Sequence, residues 1–530
     1  MTGADPSLDS DQRTWAARLF AVSTMVYLAL AATALKGIRG SDQYWYSGEM
    51  ESLLAGRAPF SNFFFVGAIW RNGQVEGTNV FAHHTAVHYM ALPLASVLGT
   101  YWGWVLTGLA LTVLSVVLLR WLIVDATGSS WAGAIGGAVY LLSPLVYWNS
   151  VNMLQESYQA AVVVLLGYCV YRSVGRARWG WACLVVLAVG CGVHPIFKLA
   201  TLGYVCSAAW VIGPTVTLRV RLLISACAFL VLVGSMWAVP VLFPTTPTHS
   251  SIISASEGIT NCAGYLEYDL VEPSIGLILR KTVRSAVQHL TILASSAGVF
   301  YIVFYITLFG LGAFGVIVRR SRDKRLGVLF GLTLLMLAGY VGLTSLHQVQ
   351  PRYMLLVYPL SFAATVVAVT SALAPGGRWA GRGGRPLTAV LAGTALITVG
   401  SMGVDALMAR RLRSLATTEA ADIQRMRSLL KPIDLAGPVL GLVSAESPGA
   451  GNFLGYASSP RPYMSVLPAL LDDERTAGIL EMFGPKALLA EPEIADVPAK
   501  LEHLGWALRR VGESEEFILY AMSPLPAGQR

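Results

Sequence analysis

Charge is what this sequence has least of. Asp, Glu, Lys and Arg make up only 13% of its 530 residues, against 55% hydrophobic residues, and the mean hydropathy is +0.59. Soluble domains carry about 25% charged residues. A water-soluble globular protein is therefore excluded, and most of the chain is expected in a bilayer. Cysteine is scarce too. Of six, Cys169, Cys183, Cys191, Cys206 and Cys227 lie in apolar segments, and only Cys262 falls in an expected outer loop. With no CxxC pair, neither a disulfide framework nor a cysteine metal site follows. Internal repeats and low-complexity tracts are absent as well. The opening MTGADPSLDSDQR has more acids than bases, unlike the positive start of a cleaved signal peptide, so the first apolar segment is expected to be retained. The net charge of +8 does not argue for nucleic acid, because the basic residues concentrate in short loops.

What is present is a succession of apolar runs. About 20 such residues cross the hydrocarbon as a helix. Eleven spans are expected, at about 15–37, 101–122, 131–148, 158–172, 180–194, 199–213, 222–243, 295–317, 327–345, 354–374 and 386–408. His84–Gly99 is apolar but carries His84, His88 and Pro93, and reads as a helix at or dipping into the interface. Arg172, Arg176, Arg178, Arg219, Arg221, Arg319, Arg320, Arg322, Lys324, Arg325, Arg378, Arg382 and Arg385 fall in alternate loops or at their edges. By the positive-inside rule those loops and the N-terminus are cytoplasmic. The expected fold class is an all-α polytopic membrane domain over residues 1–408, with a first outer loop at 38–100 and a long outer loop at 244–294. A small extracytoplasmic α/β domain follows at 409–530, large enough for its own core. In it, 416–430 and 467–483 are helix-like, 439–443 and 486–489 are strand-like, and 506–511 with 517–522 reads as a hairpin.

The chain reads as organised around Gly40–Asn62, which follows the first span. If Asp42 opens a helix, Asp42, Tyr46, Glu49 and Leu53 share one face, and the first three line a cavity. Other polar residues are expected at the same membrane face: Glu51, His83, His84 and His88; Asn149, Asn152 and Glu156; His194 and Lys198; His347, Gln350, Arg352 and Tyr353. The opposite loops offer almost only Arg and Lys.

Three stretches resemble the GT-C superfamily of integral-membrane glycosyltransferases. One is SDQYWYSGEMESLLAGRAPFSN soon after the first span. The second is SPLVYWNSVNMLQESYQ, which places Glu156 at the outer end of the third span. The third is QPRYMLLVYPL, with Arg352 and Tyr353 opening an apolar helix. The resemblance implies a multi-pass cell-membrane enzyme that takes a sugar from a polyprenyl-phosphate donor and gives it to a glycan, lipid or protein acceptor, as in cell-wall assembly. The chain departs from the commoner pattern in its Asp-Gln pair at the first loop and in the insert Phe60–Ala82. An inverting transfer needs a base for the acceptor hydroxyl, and a carboxylate serves; Asp42 is assigned that role. The leaving phosphate needs cations, for which Arg352 and Lys198 are the candidates. Glu156 orients the acceptor or Asp42's neighbours. Tyr44, Trp45, Tyr46 and Trp70 are placed to stack on sugar, with Glu49, Tyr353 and His84 in the substrate site. No cofactor and no metal ligand set is expected, although a divalent cation has room to assist.

Plainer readings exist for each. Asp42 with Ser41 caps a helix, Arg352 and Lys198 snorkel, and Glu49 and Glu51 face solvent. His84 and His88, at i and i+4, suggest zinc but lack an HExxH pattern. Gly310-x-Gly312-x-x-Gly315 matches a dinucleotide fingerprint inside an apolar run, where close helix packing explains it better. The competing functions are a transporter or lipid-linked-glycan flippase, with charges at mid-depth, and a sensor or assembly protein that works through its C-terminal domain.

Overall fold

The computed structural model describes residues 6–35, 41–56, 86–242, 298–321, 323–346 and 351–373. It also describes 63–65, 253–254 and 270–271, then 421–431, 437–442, 463–466, 484–492, 496–514 and 517–526, with isolated positions between. The expected eleventh span, most of the 244–294 loop, and His83, His84, Trp70, His347 and Gln350 lie outside the described residues.

Helices lie at the first ten expected spans and at two places in the expected first outer loop. They are α1 (Pro6–Ala34), α2 (Ser41–Leu54), α3 (Ala86–Leu98), α4 (Thr100–Thr127), α5 (Ser130–Leu141), α6 (Pro144–Val151), α7 (Glu156–Ser173), α8 (Ala177–Val193), α9 (Ile196–Ile212), α10 (Leu218–Leu242), α11 (Gly298–Arg320), α12 (Lys324–Leu346) and α13 (Tyr358–Leu373). A 3-10 turn, Pro351–Leu356, leads into α13. Four described helices are long and apolar enough to cross a membrane alone, or five if the bent pair α5 and α6 is one span. The chain is a membrane protein, mostly helical, with a small C-terminal sheet.

Local chemistry sets several boundaries. Gly128 ends α4 in the left-handed region at φ 70°, its N–H bonded to the Val124 carbonyl, a conformation glycine adopts without a Cβ penalty. Ser129 caps α5 by accepting from the Ala132 N–H at 3.1 Å. The expected single span 131–148 is instead broken. Ser143 caps a second helix, Pro144 sits in its first turn, and the axis bends by 55°. Proline has no N–H to continue the ladder and suits a first helical turn, so the chain restarts there. The short α6 directs Asn149 and Asn152 to one end of the bundle.

The Gly310 run is packing. A Cβ on Gly310 would run into the Thr365 side chain, and one on Gly315 would meet Phe330 at 2.9 Å. These contacts bring α11 close to α13 and α12, the use small residues have between membrane helices.

The C-terminal sheet has six strands: β1 (Phe63–Phe65), β4 (Val439–Leu442), β5 (Tyr463–Val466), β6 (Ala487–Ala490), β7 (Trp506–Glu513) and β8 (Ile518–Pro524). Their order is β1-β5-β4-β6-β8-β7. The first four run parallel, and β8 and β7 add as an antiparallel hairpin. Two further short strands, β2 (Ile253–Ser254) and β3 (Leu270–Val271), pair with each other. Every residue of β4 and β6 is buried, as for parallel strands covered on both faces. Leu440, Leu442, Leu488, Val497, Leu501 and Met522 belong to a core separate from that of the bundle. Two features were not anticipated. β5 lies where the sequence suggests only the approach to a helix, and β1 comes from the first-loop insert and pairs with β5 in parallel. The first loop is thus built into the C-terminal sheet.

Gly310→Leu is expected to destabilise the protein by about 1–3 kcal/mol through overpacking against Thr365. Gly312, with nothing within 4 Å of a built Cβ, should accept Leu with little change. Thermal unfolding of both variants in detergent checks this; equal midpoints would remove the packing explanation.

Candidate active site

The site is built on α2. This helix is less apolar than the spans, yet it is buried on nearly every side. Gln43, Tyr46, Ser47, Glu49 and Met50 are all buried, with Tyr46, Ser47, Glu49 and Met50 at 0% exposure. They meet α3, α4 and the α6–α7 junction. Asp42 is the second residue of α2, one turn before Tyr46; its side chain, like that of Trp45, lies outside the described ones. Leu53, expected beneath this face, is partly buried against the main core.

Glu49 is held by a histidine. Its Oε2 lies 2.9 Å from Nε2 of His88, and both side chains are sealed from solvent. Aromatic rings form the enclosure. The His88 ring stands edge-on to Trp104 at 4.8 Å and to Tyr46 at 6.2 Å, and Tyr46 stacks on Trp104 at 5.4 Å. Trp104 connects this pair to α7, because the Tyr158 hydroxyl donates to its carbonyl at 2.6 Å. An ionised carboxylate buried without a partner would cost several kcal/mol; the histidine opposite Glu49 is what makes the position tolerable.

Two residues before Tyr158, Glu156 opens α7. Its Oε1 lies 3.2 Å from Nε of Arg352, which is 15% exposed where Glu156 is 1%. The Arg352 guanidinium also covers the Tyr353 ring at 5.2 Å. The expected grouping of Glu156, Arg352 and Tyr353 is therefore a direct contact. A third link ties it to α2: the Gln43 amide donates to the Asn152 Oδ1 at 3.0 Å, buried. Asp42 thus precedes a residue that reaches the loop leading to Glu156. Lys198 is half-buried in the first turn of α9 and makes no ion pair with another described residue. The turn before it is shaped by His194, whose Nδ1 accepts from the Ile196 N–H at 3.1 Å.

The C-terminal unit reaches the other side of α2, by contacts the sequence reading missed. Nη2 of Arg427 lies 3.1 Å from both Glu51 carboxylate oxygens and donates to the Tyr456 carbonyl at 3.3 Å. Its guanidinium covers the Tyr456 ring at 4.7 Å, and Tyr456 stacks on Tyr44 at 5.9 Å. Burial pushes the Tyr456 phenol up, and the Glu51 carboxylate adds to it, so the ring stays neutral. Burial alone would lower the Arg427 guanidinium; Glu51 and Tyr456 reverse this and raise it. No local pattern announces the pair, since Glu51 and Arg427 are 376 residues apart.

Among the described residues, no three His, Cys, Asp or Glu side chains gather as a metal shell. Of their charged pairs, Arg172 with Asp125 and Arg352 with Glu156 lie near helix ends. Arg172 and Asp125, 2.8 Å apart, mark the end of the bundle opposite Glu156.

The helical membrane bundle with its small mixed sheet shares its fold with solved structures of membrane proteins. Among solved structures, ArnT of Cupriavidus metallidurans bound to undecaprenyl phosphate is similar at TM-score 0.56 and 12% identity, over 94% of this chain and 97% of that one. Apo ArnT is similar at TM-score 0.53 and 13% identity, over the same shares. The apo oligosaccharyltransferase of Archaeoglobus fulgidus is similar at TM-score 0.51 and 9% identity, over 92% of this chain and 71% of that one. No family model matches the sequence, and no curated protein matches it significantly. At these identities the likeness shows the fold.

Removing one member of the buried pair is expected to be worse than removing both. His88→Ala leaves Glu49 buried without its partner and should cost about 3–5 kcal/mol, whereas Glu49→Leu with His88→Leu should cost less. Denaturant unfolding in detergent checks this; a double variant as unstable as the single would show that the two do not act as a pair.

Proposed function

We propose that the protein is a membrane glycosyltransferase that moves a sugar from a polyprenyl-phosphate-linked donor to an acceptor at the outer face of the membrane, with inversion at the anomeric carbon. The observation that carries this reading is the contact of Glu156 with Arg352 beside α2, within a fold shared with an ArnT structure that holds undecaprenyl phosphate. In the proposed reaction Asp42 takes the acceptor hydroxyl proton. The acceptor oxygen bonds to the anomeric carbon as the bond from that carbon to the phosphate oxygen breaks. The electron pair leaves on the polyprenyl phosphate. Arg352 meets its growing charge, since a guanidinium matches phosphate oxygens geometrically. Lys198 adds a second cation. Glu156 orients Arg352 and, with Tyr353, the wall beside it. Fully buried, Glu49 and Tyr46 serve as the support of this wall. The chemistry asks for no resident metal, and activity that survives a chelator is the expected result.

In this reading the N-terminus is cytoplasmic, the chain crosses eleven times, and the C-terminal domain is extracytoplasmic. The donor sugar is a hexose or pentose, and the acceptor is a glycan, lipid or protein. The basic end near Arg172, Arg176, Arg319 and Arg320 supports the orientation.

Asp42→Asn should lower transfer by about 10²–10⁴-fold, the usual contribution of a general base, with the thermal midpoint retained. Labelled polyprenyl-phosphate sugars offered to membranes carrying each variant provide the assay. Arg352→Ala should instead weaken use of the donor. Full activity of Asp42→Asn would remove the base assignment.

A further inference from the structure

The contacts of α2 divide between two bodies. Gln43, Tyr46 and Glu49 grip the bundle through Asn152, Trp104 and His88. Tyr44 and Glu51, seven residues apart and so on one face of the opposite side, grip the C-terminal unit through Tyr456 and Arg427. Past the end of α2, β1 is hydrogen-bonded into the C-terminal sheet beside β5. The helix that carries Asp42 is thus fastened on both sides, and the second set of fasteners comes from a domain to which no chemistry is assigned.

We propose that Arg427 and Tyr456 are positioning residues: they set the rotation and tilt of α2, and through it the approach of Asp42 to the acceptor. The geometry suits this role. Nη2 of Arg427 meets both oxygens of Glu51 at 3.1 Å while the guanidinium plane lies over Tyr456. Tyr456 is 6% exposed and Tyr44 5%, so the stack is closed to solvent. An ion pair exposed to the degree of this one contributes little net stability; its value lies in direction, because a guanidinium held over a ring while its Nη2 meets a carboxylate permits few orientations. Tyr44, expected to stack on sugar, stacks instead on Tyr456. The kinetic part of this proposal rests on the transferase reading above; the structural part does not.

Hydrogen exchange of the α2 amides in the full-length protein tests the structural part, with Arg427→Glu, Glu51→Arg and the double charge swap as variants. Each single variant should raise exchange over α2 by about tenfold or more, and the swap should restore most of the protection, as for a local opening governed by one contact set. Exchange in the α4 core should not change. Transfer kinetics test the second part: each single variant should lower kcat about tenfold or more with donor KM little changed, and the swap should recover it, since misplacement of a reacting group acts on the chemical step. Tyr456→Leu, which keeps both charges, should fall between. Unchanged exchange in Arg427→Glu overturns the proposal whatever the activity. Raised exchange with unchanged kcat overturns the positioning role. Wild-type protein inert toward every polyprenyl-phosphate sugar overturns the transferase reading instead, while the exchange result still decides the clamp.

Discussion

Charge cannot be left alone in an apolar bundle. That constraint accounts for the partners of the two buried carboxylates at this end of the molecule. Glu49 has no exposure and Glu156 almost none, so each carboxylate needs a partner within bonding distance. His88 on α3 supplies one and Arg352 before α13 the other. Each partner comes from a different segment. Satisfying the charges therefore draws α2, α3, α7 and the Pro351–Leu356 turn together.

Aromatic packing makes this arrangement stiff. Trp104 touches His88, Tyr46 and Tyr158, so one indole joins the Glu49 pair to the helix that begins with Glu156. Large flat side chains bury much area in few conformations. The two ion pairs are not independent: a shift in α2 would disturb Trp104, and through it the start of α7. A preorganised wall of this kind keeps a reacting group within a narrow range of positions. The C-terminal unit holds the other side of α2 through Arg427, against Glu51, and Tyr456, against Tyr44.

Much of the fold was legible in the sequence. Long apolar runs must be helices in a bilayer, because no other local structure satisfies every backbone group there, and the first ten expected segments are helical. Ser143-Pro144, read as the middle of a span, carried the signal for its break: a capping hydroxyl followed by a residue suited to a first turn. β4, β6 and the β7–β8 hairpin also stood out, since local apolar runs and a near-range turn define them. Glu156, Arg352 and Tyr353, singled out in the sequence as polar or aromatic groups at the ends of apolar segments, lie in contact.

The sequence by itself therefore determined the solvent this protein lives in, the rough extent of its helices, and which polar residues gather at one end. The tertiary structure decided the partners. Nothing local says that Glu49 meets His88, that Glu156 meets Arg352, or that a strand from the first loop joins a sheet some 400 residues later. The reason is physical. Apolar periodicity and backbone satisfaction act over a turn or a span and leave a mark on neighbouring residues. A buried ion pair or a strand edge is satisfied by whatever group the folded chain brings within about 3 Å, and that depends on how all the helices pack at once.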